Sequence, residues 1–386
     1  MLNDSWAKKL TMKTMSSTHT VSKLYYRLCC CVLFFVAAAA SFNGYYDKWH
    51  FREAGTTASM PGASFDAMAE GTARRPFVYR QMLPMVATWI AVRVPEQAQD
   101  RLYATRLYSG RLFREDLIDS PMARDRTWFL RYWIVYAMAF LFAWIAVFAM
   151  YLAGKATGYP PAAAALAAIA MILLIPYFLT RGGFFFDYPE LAFLALGVWM
   201  ALKFDWWWII PVAALAAWNK ESFLLFIPAL YPLLRQRSSR ASALAGTAVL
   251  GSTCAVVYFL LRLRFQHNLG GPVEIHLMDQ VQYLLHPLNI LLGERTYGVI
   301  VLQGFNPLVV ALIVWTAWRG WHSLPGAMQR HAQIAASINF PLYLVCCVPG
   351  ELRDLSLLYV TLLLLMAANL TEWIGGQAKA ASREPA

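Results

Sequence analysis

The sequence predicts an all-α fold: a polytopic bundle of about nine to eleven membrane segments, with a long helical loop on the outer side after the first span. Three observations predict it. Of 386 residues, 59% are hydrophobic and only 14% charged, against about a quarter charged in soluble domains, so a water-soluble fold of this length could not hide the apolar surface. The apolar residues come in runs, at 24–42, 129–153, 162–179, 184–202, 206–234, 243–261, 299–317, 334–348 and 355–374. Most of these runs match the ~20 residues a helix needs to cross the hydrocarbon core. Trp and Tyr stand at run ends, among them Trp49, Trp133, Trp206, Trp207, Trp208 and Trp373, where interfacial belts form.

The tail 1–23 and the start of the first run carry Lys8, Lys9, Lys13, Lys23 and Arg27 against Asp4 alone. The positive-inside rule places that tail in the cytoplasm. The run 24–42 reads as a retained span rather than a cleaved signal, because Ser41-Phe42-Asn43-Gly44-Tyr45 has no small-x-small site and more spans follow.

The segment 77–94 is long enough to cross, but it holds Arg80 and Pro84 and ends at Arg93. If it spans, 96–126 is cytoplasmic; if it lies in the interface, 43–128 forms one outer loop, and loops beyond ~60 residues translocate regardless of charge. We prefer the second topology, which puts Lys155, Lys203, Arg235, Arg237, Arg240, Arg319, Arg330 and Lys379 on the cytoplasmic side.

The run 206–234 is interrupted at its centre by Asn219-Lys220-Glu221. A single helix would hold both ionisable groups near mid-membrane at ~2.5–3.5 kcal/mol apiece. Two short helices meeting at a polar tip avoid that cost and set the tip in a recess below the outer surface. The domain therefore covers 24–374, and 375–386 reads as a disordered tail.

The formal charge of +11 is spread over short loops and the first tail rather than along one face, so topology accounts for it and nucleic acid is not an expected partner. All six Cys lie in apolar runs, without the spacing of a disulfide framework or metal site. His267, His276 and His286 follow no ligand spacing either, and no metal ligands are assigned. Walker, nucleophile-elbow and dinucleotide motifs are absent from the sequence.

The polar residues beside the runs carry the functional reading. Asp47 follows the first span among Tyr45, Tyr46, Lys48 and Trp49. An interfacial acid paired with Lys48 or Arg52 is the ordinary explanation, and a general base at the membrane surface the sharper one. Asp187 and Glu190, in Phe186-Asp187-Tyr188-Pro189-Glu190, fit a capping box with Asp187 as N-cap, yet carboxylates three apart also share a helix face. Arg74, Arg75 and Arg80 surround Pro76 at the head of the amphipathic segment, where they either snorkel to headgroups or grip a phosphorylated lipid. Glu351, Arg353 and Asp354 open the last span as an interfacial ion cluster or a further part of that phosphate site. Lys220 and Glu221 rank highest, because ionisable groups at membrane depth usually serve function.

In these motifs the chain resembles the GT-C superfamily of polytopic, polyprenyl-phosphate-sugar-dependent glycosyltransferases. Shared features are the N-in first span, the acid soon after it and the outer loop with juxtamembrane helices. Arg75-Pro76-Phe77-Val78-Tyr79-Arg80-Gln81-Met82-Leu83-Pro84 is similar to that superfamily's Pro-led amphipathic helix. Asn219-Lys220-Glu221 and Gly350-Glu351-Leu352-Arg353 look like motifs of its bacterial members.

The chain departs from many members in having Lys48 after Asp47, with Glu53 or Asp66 as the next acids, and in lacking a large outer domain. The resemblance implies a multi-pass protein of the bacterial inner membrane. Asp47 would be the catalytic base of an inverting transfer to a glycan, lipid or protein acceptor. Lys220 and Arg353 would neutralise the leaving phosphate, and Arg75, Arg80, Asp187, Glu190, Glu221 and Glu351 would line the donor site. A divalent metal could share the task of neutralising the leaving phosphate. The alternative is a transporter or flippase for a lipid-linked sugar or anion, since broken helices also build transport sites.

Overall fold

The computed structural model describes residues 26–49, 64–109, 125–180, 182–271, 273–302 and 306–381. Among them the chain is helical apart from one hairpin. Helix α1 (Tyr26–Tyr46) is followed by α2 (Phe65–Glu70), α3 (Met82–Ala91), α4 (Glu96–Ser109), α5 (Arg126–Thr157), α6 (Pro161–Phe178) and α7 (Asp187–Lys203). Next come α8 (Ile210–Asn219), α9 (Ser222–Leu234), α10 (Arg240–Arg264) and α11 (Leu277–Leu285), then strands β1 (Gly293–Thr296) and β2 (Val299–Leu302). The chain closes with α12 (Pro307–Gly320), α13 (Gly326–Cys346) and α14 (Tyr359–Ala381). The tail 1–23, His50, Arg52, Glu53 and the far C-terminus lie outside the described residues.

Five stretches are long and apolar enough to cross a membrane: α1, α5, α6, α10 and Leu352–Gly375. The protein is thus an all-α membrane protein. The remaining helices, among them α7, α9, α12 and α13, pack against these five. At 17 residues α7 lies along α5, α9 lies against α10 and α13, and α14 lies against α6 and α12. Close packing rests on small residues, with Ala139, Ala143 and Ala146 of α5 and Ala163, Ala164, Ala167 and Ala168 of α6 all at 0% exposure. Van der Waals contact between closely approaching backbones replaces the hydrophobic drive that lipid cannot supply.

The ends are set by local chemistry. Asp125 caps α5 through Trp128 N (2.8 Å), Ser239 caps α10, and Asn306 with Pro307 at the first helical position starts α12.

Two elements run as expected. The segment 77–94 gives a short 3₁₀ turn, Phe77–Tyr79, and the ten-residue α3. At ~15 Å that helix cannot span. The run 206–234 breaks at Lys220, whose backbone is extended (φ −160°, ψ 143°) between α8 and α9.

Two others do not. The run 299–317 is not one helix: Val299–Leu302 pairs with β1, and α12 starts only at Pro307. Tyr297 and Gly298 both have positive φ (54° and 77°), the two-residue turn that matches strand twist. Hydropathy alone cannot separate such a β-branched strand from a helix. The capping box at Asp187 does not form either. Phe186 stands at the N-cap without a side-chain bond, and Asp187 already lies inside the helix.

We define the upper end of the bundle as the one where α1 finishes. There Gly183 N donates to Lys48 O (2.7 Å), and Trp49 bridges to Gly183. A Cβ at Gly183 would lie 2.6 Å from the ring of the fully buried Tyr45. Gly183→Ala is therefore expected to lower stability by about 1–3 kcal/mol, read as a fall in the detergent melting temperature. An unchanged temperature would mean that Tyr45 repacks at no cost.

Candidate functional site

The upper end collects side chains from five separated segments. The link between α6 and α7 supplies the floor. Thr180 Oγ1 donates to Gly350 O (3.0 Å), and the Gly183 contact ties the same link to the end of α1. Phe184 and Phe186 stack in this link with ring centres 5.0 Å apart. Arg353 lies 4.8 Å from the Phe184 ring, Arg80 4.4 Å from the Phe186 ring, and the Lys220 ammonium 5.7 Å from Phe186. Cations sit over these rings because the ring faces carry negative potential.

Each cation is held by acids. Arg80 pairs with Glu221 at 2.9 Å. Lys220 pairs with Glu190 at 2.7 Å, and Glu190 also accepts from Ser222 (2.5 Å) and Ser356 (2.7 Å). Arg353 pairs with Glu351 at 2.8 Å and reaches Asp187 at 3.5 Å. Asp187, Glu190 and Glu351 are 7%, 5% and 1% exposed. Burying this many charges costs solvation that only mutual pairing and added hydrogen bonds offset. The broken helix thus turns Lys220 and Glu221 toward protein rather than lipid.

Four atoms of the cluster remain unsatisfied. Arg80 Nε, Arg353 Nε, Asp187 Oδ1 and Glu221 Oε2 are buried and make no hydrogen bond among the described residues. Two are donors and two are acceptors. Buried polar groups left in this way are uncommon and costly. A ligand with anionic oxygens and hydroxyl groups would satisfy both kinds.

Seven of the expected site residues therefore meet: Arg80, Asp187, Glu190, Lys220, Glu221, Glu351 and Arg353. Arg75 does not join them. Its backbone N–H donates to Leu269 O (2.7 Å), and its neighbour Arg74 pairs with Glu274 (2.9 Å), so this part of the motif anchors the loop after α10.

Asp47 stands exposed just beyond α1. Its neighbours make the contacts inward: Tyr45 Oη donates to Asp187 (3.4 Å), while Lys48 Nζ donates to Pro176 O (2.9 Å) and Leu179 O (2.8 Å) and pairs with Glu294 (3.3 Å). Lys48 is thus not the partner of Asp47, as one ordinary reading had it. Burial pushes the Lys48 ammonium below the usual lysine range, and the Glu294 carboxylate beside it opposes that push.

Sequence reasoning missed Tyr45, Phe184, Phe186, Ser222, Ser356 and Glu294. The three consecutive aromatics Phe184-Phe185-Phe186 at the head of the run 184–202 were the available signal.

Asp66, the second of the two acids that follow Asp47, lies elsewhere. It sits in the first turn of α2 and makes no ion pair with the cluster. Burial, with Glu70 and Asp125 nearby, pushes its carboxyl up from 3.8 to about 6. Because the folded value is the higher one, the folded state binds the extra proton, and stability falls as pH rises from about 4 to about 6. Asp66→Asn is expected to remove that fall and raise the melting temperature at pH 7.5 but not at pH 4. An identical pH profile in the variant would contradict this.

The chain matches no protein-family model, no curated protein and no solved structure.

Proposed function

We propose that the protein is a membrane glycosyltransferase that moves a sugar from a polyprenyl-phosphate donor to a glycan, lipid or protein acceptor on the outer face of the bacterial inner membrane. The observation that carries this reading is the set of four unsatisfied atoms in one cation-lined cluster. Phosphate oxygens meet the two guanidinium Nε donors, and sugar hydroxyls meet Asp187 Oδ1 and Glu221 Oε2. A sugar phosphate is a ligand class that brings both. The polyprenyl anchor suits a cluster built at one end of a membrane bundle.

The chemistry follows from these roles. Asp47 takes the proton of the acceptor hydroxyl as that oxygen bonds to the anomeric carbon. The bond from that carbon to the phosphate oxygen breaks, and its electron pair leaves on the phosphate. Arg80, Lys220 and Arg353 neutralise the charge that develops there. Attack opposite the leaving group inverts the anomeric centre. The phosphate leaves without protonation, so one carboxylate suffices where a glycosidase needs two. Asp47 is the acid assigned to this step because it is exposed beside the link that carries Phe184 and Phe186, where an acceptor hydroxyl can approach it. Glu190, Glu221 and Glu351 position the cations.

The break between α8 and α9 also favours a second reading, transport of a lipid-linked sugar or anion, because charged tips of broken helices form transport sites.

Binding of a labelled polyprenyl-phosphate sugar to detergent-purified protein tests the site. Saturable binding that weakens at least about tenfold in Arg353→Ala is expected, since a charge-assisted bond to phosphate is lost. Wild-type affinity in Arg353→Ala would remove the phosphate from the cluster.

A further inference from the structure

A second site lies away from the cluster. Helices α1, α6, α12 and α14 enclose a groove of about 820 Å³ whose walls are almost wholly apolar. That volume is at the upper end of the ~300–1,000 Å³ range of ligand pockets.

The two ends of the groove differ. Toward the upper end it is closed by Tyr297, from the hairpin turn, which lines the groove and donates its hydroxyl to Leu173 O (2.9 Å). Gly44 makes room for this plug: a Cβ there would lie 2.7 Å from the Tyr297 ring. The other end holds Arg319 and Trp373. Trp373 lies about 20 Å along α14 from Tyr359 at ~1.5 Å per residue, and Tyr359 is itself bonded to Arg353 O (3.0 Å).

Arg319 is exposed, its guanidinium 5.9 Å from the Trp315 ring, and it makes no ion pair among the described residues. The neighbouring acid, Glu372, accepts a hydrogen bond from Ser323. Asn369, which also lines the groove, donates to Thr316 O (3.0 Å) and leaves its Oδ1 buried without a donor.

We infer that this groove holds the acyl chains of an anionic diacyl glycerophospholipid from the leaflet at the lower end, with its phosphate on Arg319. The cation at the mouth, the tryptophans beside it and the apolar walls match headgroup, interface and chains in that order. Basic pockets between membrane helices recognise anionic headgroups in this way, and Trp sits at headgroup level. The polyprenyl tail of the proposed donor does not fit this polarity. Its phosphate would stand at the cluster, beyond the end that Tyr297 closes, and its terminal methyls would meet Arg319. The inference does not depend on glycosyl transfer.

The test is native mass spectrometry of the full-length protein in detergent, incubated with dioleoylphosphatidylglycerol or dioleoylphosphatidylcholine. Wild type is expected to retain one phosphatidylglycerol in preference to phosphatidylcholine by about fivefold. Arg319→Gln is expected to lose the preference without a change in melting temperature, because the side chain is exposed. Leu174→Trp, which fills the groove, is expected to retain neither lipid. Equal retention of the two lipids by wild type would overturn the inference, as would wild-type preference in Arg319→Gln. Displacement of phosphatidylglycerol by a polyprenyl monophosphate, equally in wild type and Arg319→Gln, would overturn it in favour of the donor tail.

Discussion

Glu190→Ala is expected to lower the unfolding free energy by about 3–5 kcal/mol, the cost of stripping a buried charge of its partner. Glu190 accepts from Lys220, Ser222 and Ser356 at once and is 5% exposed, while the Lys220 side chain is 11% exposed. Truncation leaves the ammonium unpaired in a buried cluster and frees two hydroxyls. The double variant Glu190→Leu with Lys220→Met removes both charges and is expected to recover most of the loss, since apolar replacements of a buried pair are often neutral or better. Thermal unfolding in detergent measures both. A loss in Glu190→Ala no larger than an exposed pair gives, about 0–1 kcal/mol, would mean that the cluster is more hydrated than its burial indicates.

Asp47→Asn is expected to cut transfer by about 10²–10⁴, the contribution of a positioned base. Its melting temperature is expected to stay within experimental error, because an exposed acid contributes little to stability. Glu190 is thus expected to contribute to stability and Asp47 to rate. In Arg353→Ala binding and rate are both expected to fall, since its proposed partner is the phosphate present before reaction. Transfer at the wild-type rate in Asp47→Asn would assign the base to another group.

Much of this arrangement was legible in the chain, for identifiable reasons. The break at Asn219-Lys220-Glu221 was readable because two ionisable groups inside an apolar run have a large cost that only a chain break removes. The failure of 77–94 to span was readable from Arg80 and Pro84. What could not be read was partnership. Arg80 and Glu221 are 141 positions apart, and no periodicity links them. Asp187 and Glu190 matched a local capping pattern, but tertiary partners won: Asp187 Oδ2 accepts from Phe184 N (2.8 Å), and Glu190 turns to Lys220 and two serines. The run from Val299 was misread because apolarity has no direction, and the positive φ of Tyr297 and Gly298 is invisible without coordinates. Lys48 looked like a partner for its neighbour, yet its side chain spans to α6 and β1. Sequence adjacency says nothing about which side of a chain end a side chain leaves from.

The most direct measurement of glycosyl transfer uses purified protein in liposomes with a polyprenyl-phosphate sugar labelled on the sugar and a mixture of candidate acceptors. Covalent transfer of label to an acceptor, with release of polyprenyl phosphate, is the expected result in wild type, and its loss in Asp47→Asn and Arg353→Ala ties it to the cluster. Movement of intact labelled lipid or sugar across the bilayer, with no covalent product, would contradict transfer and assign the same cluster to transport.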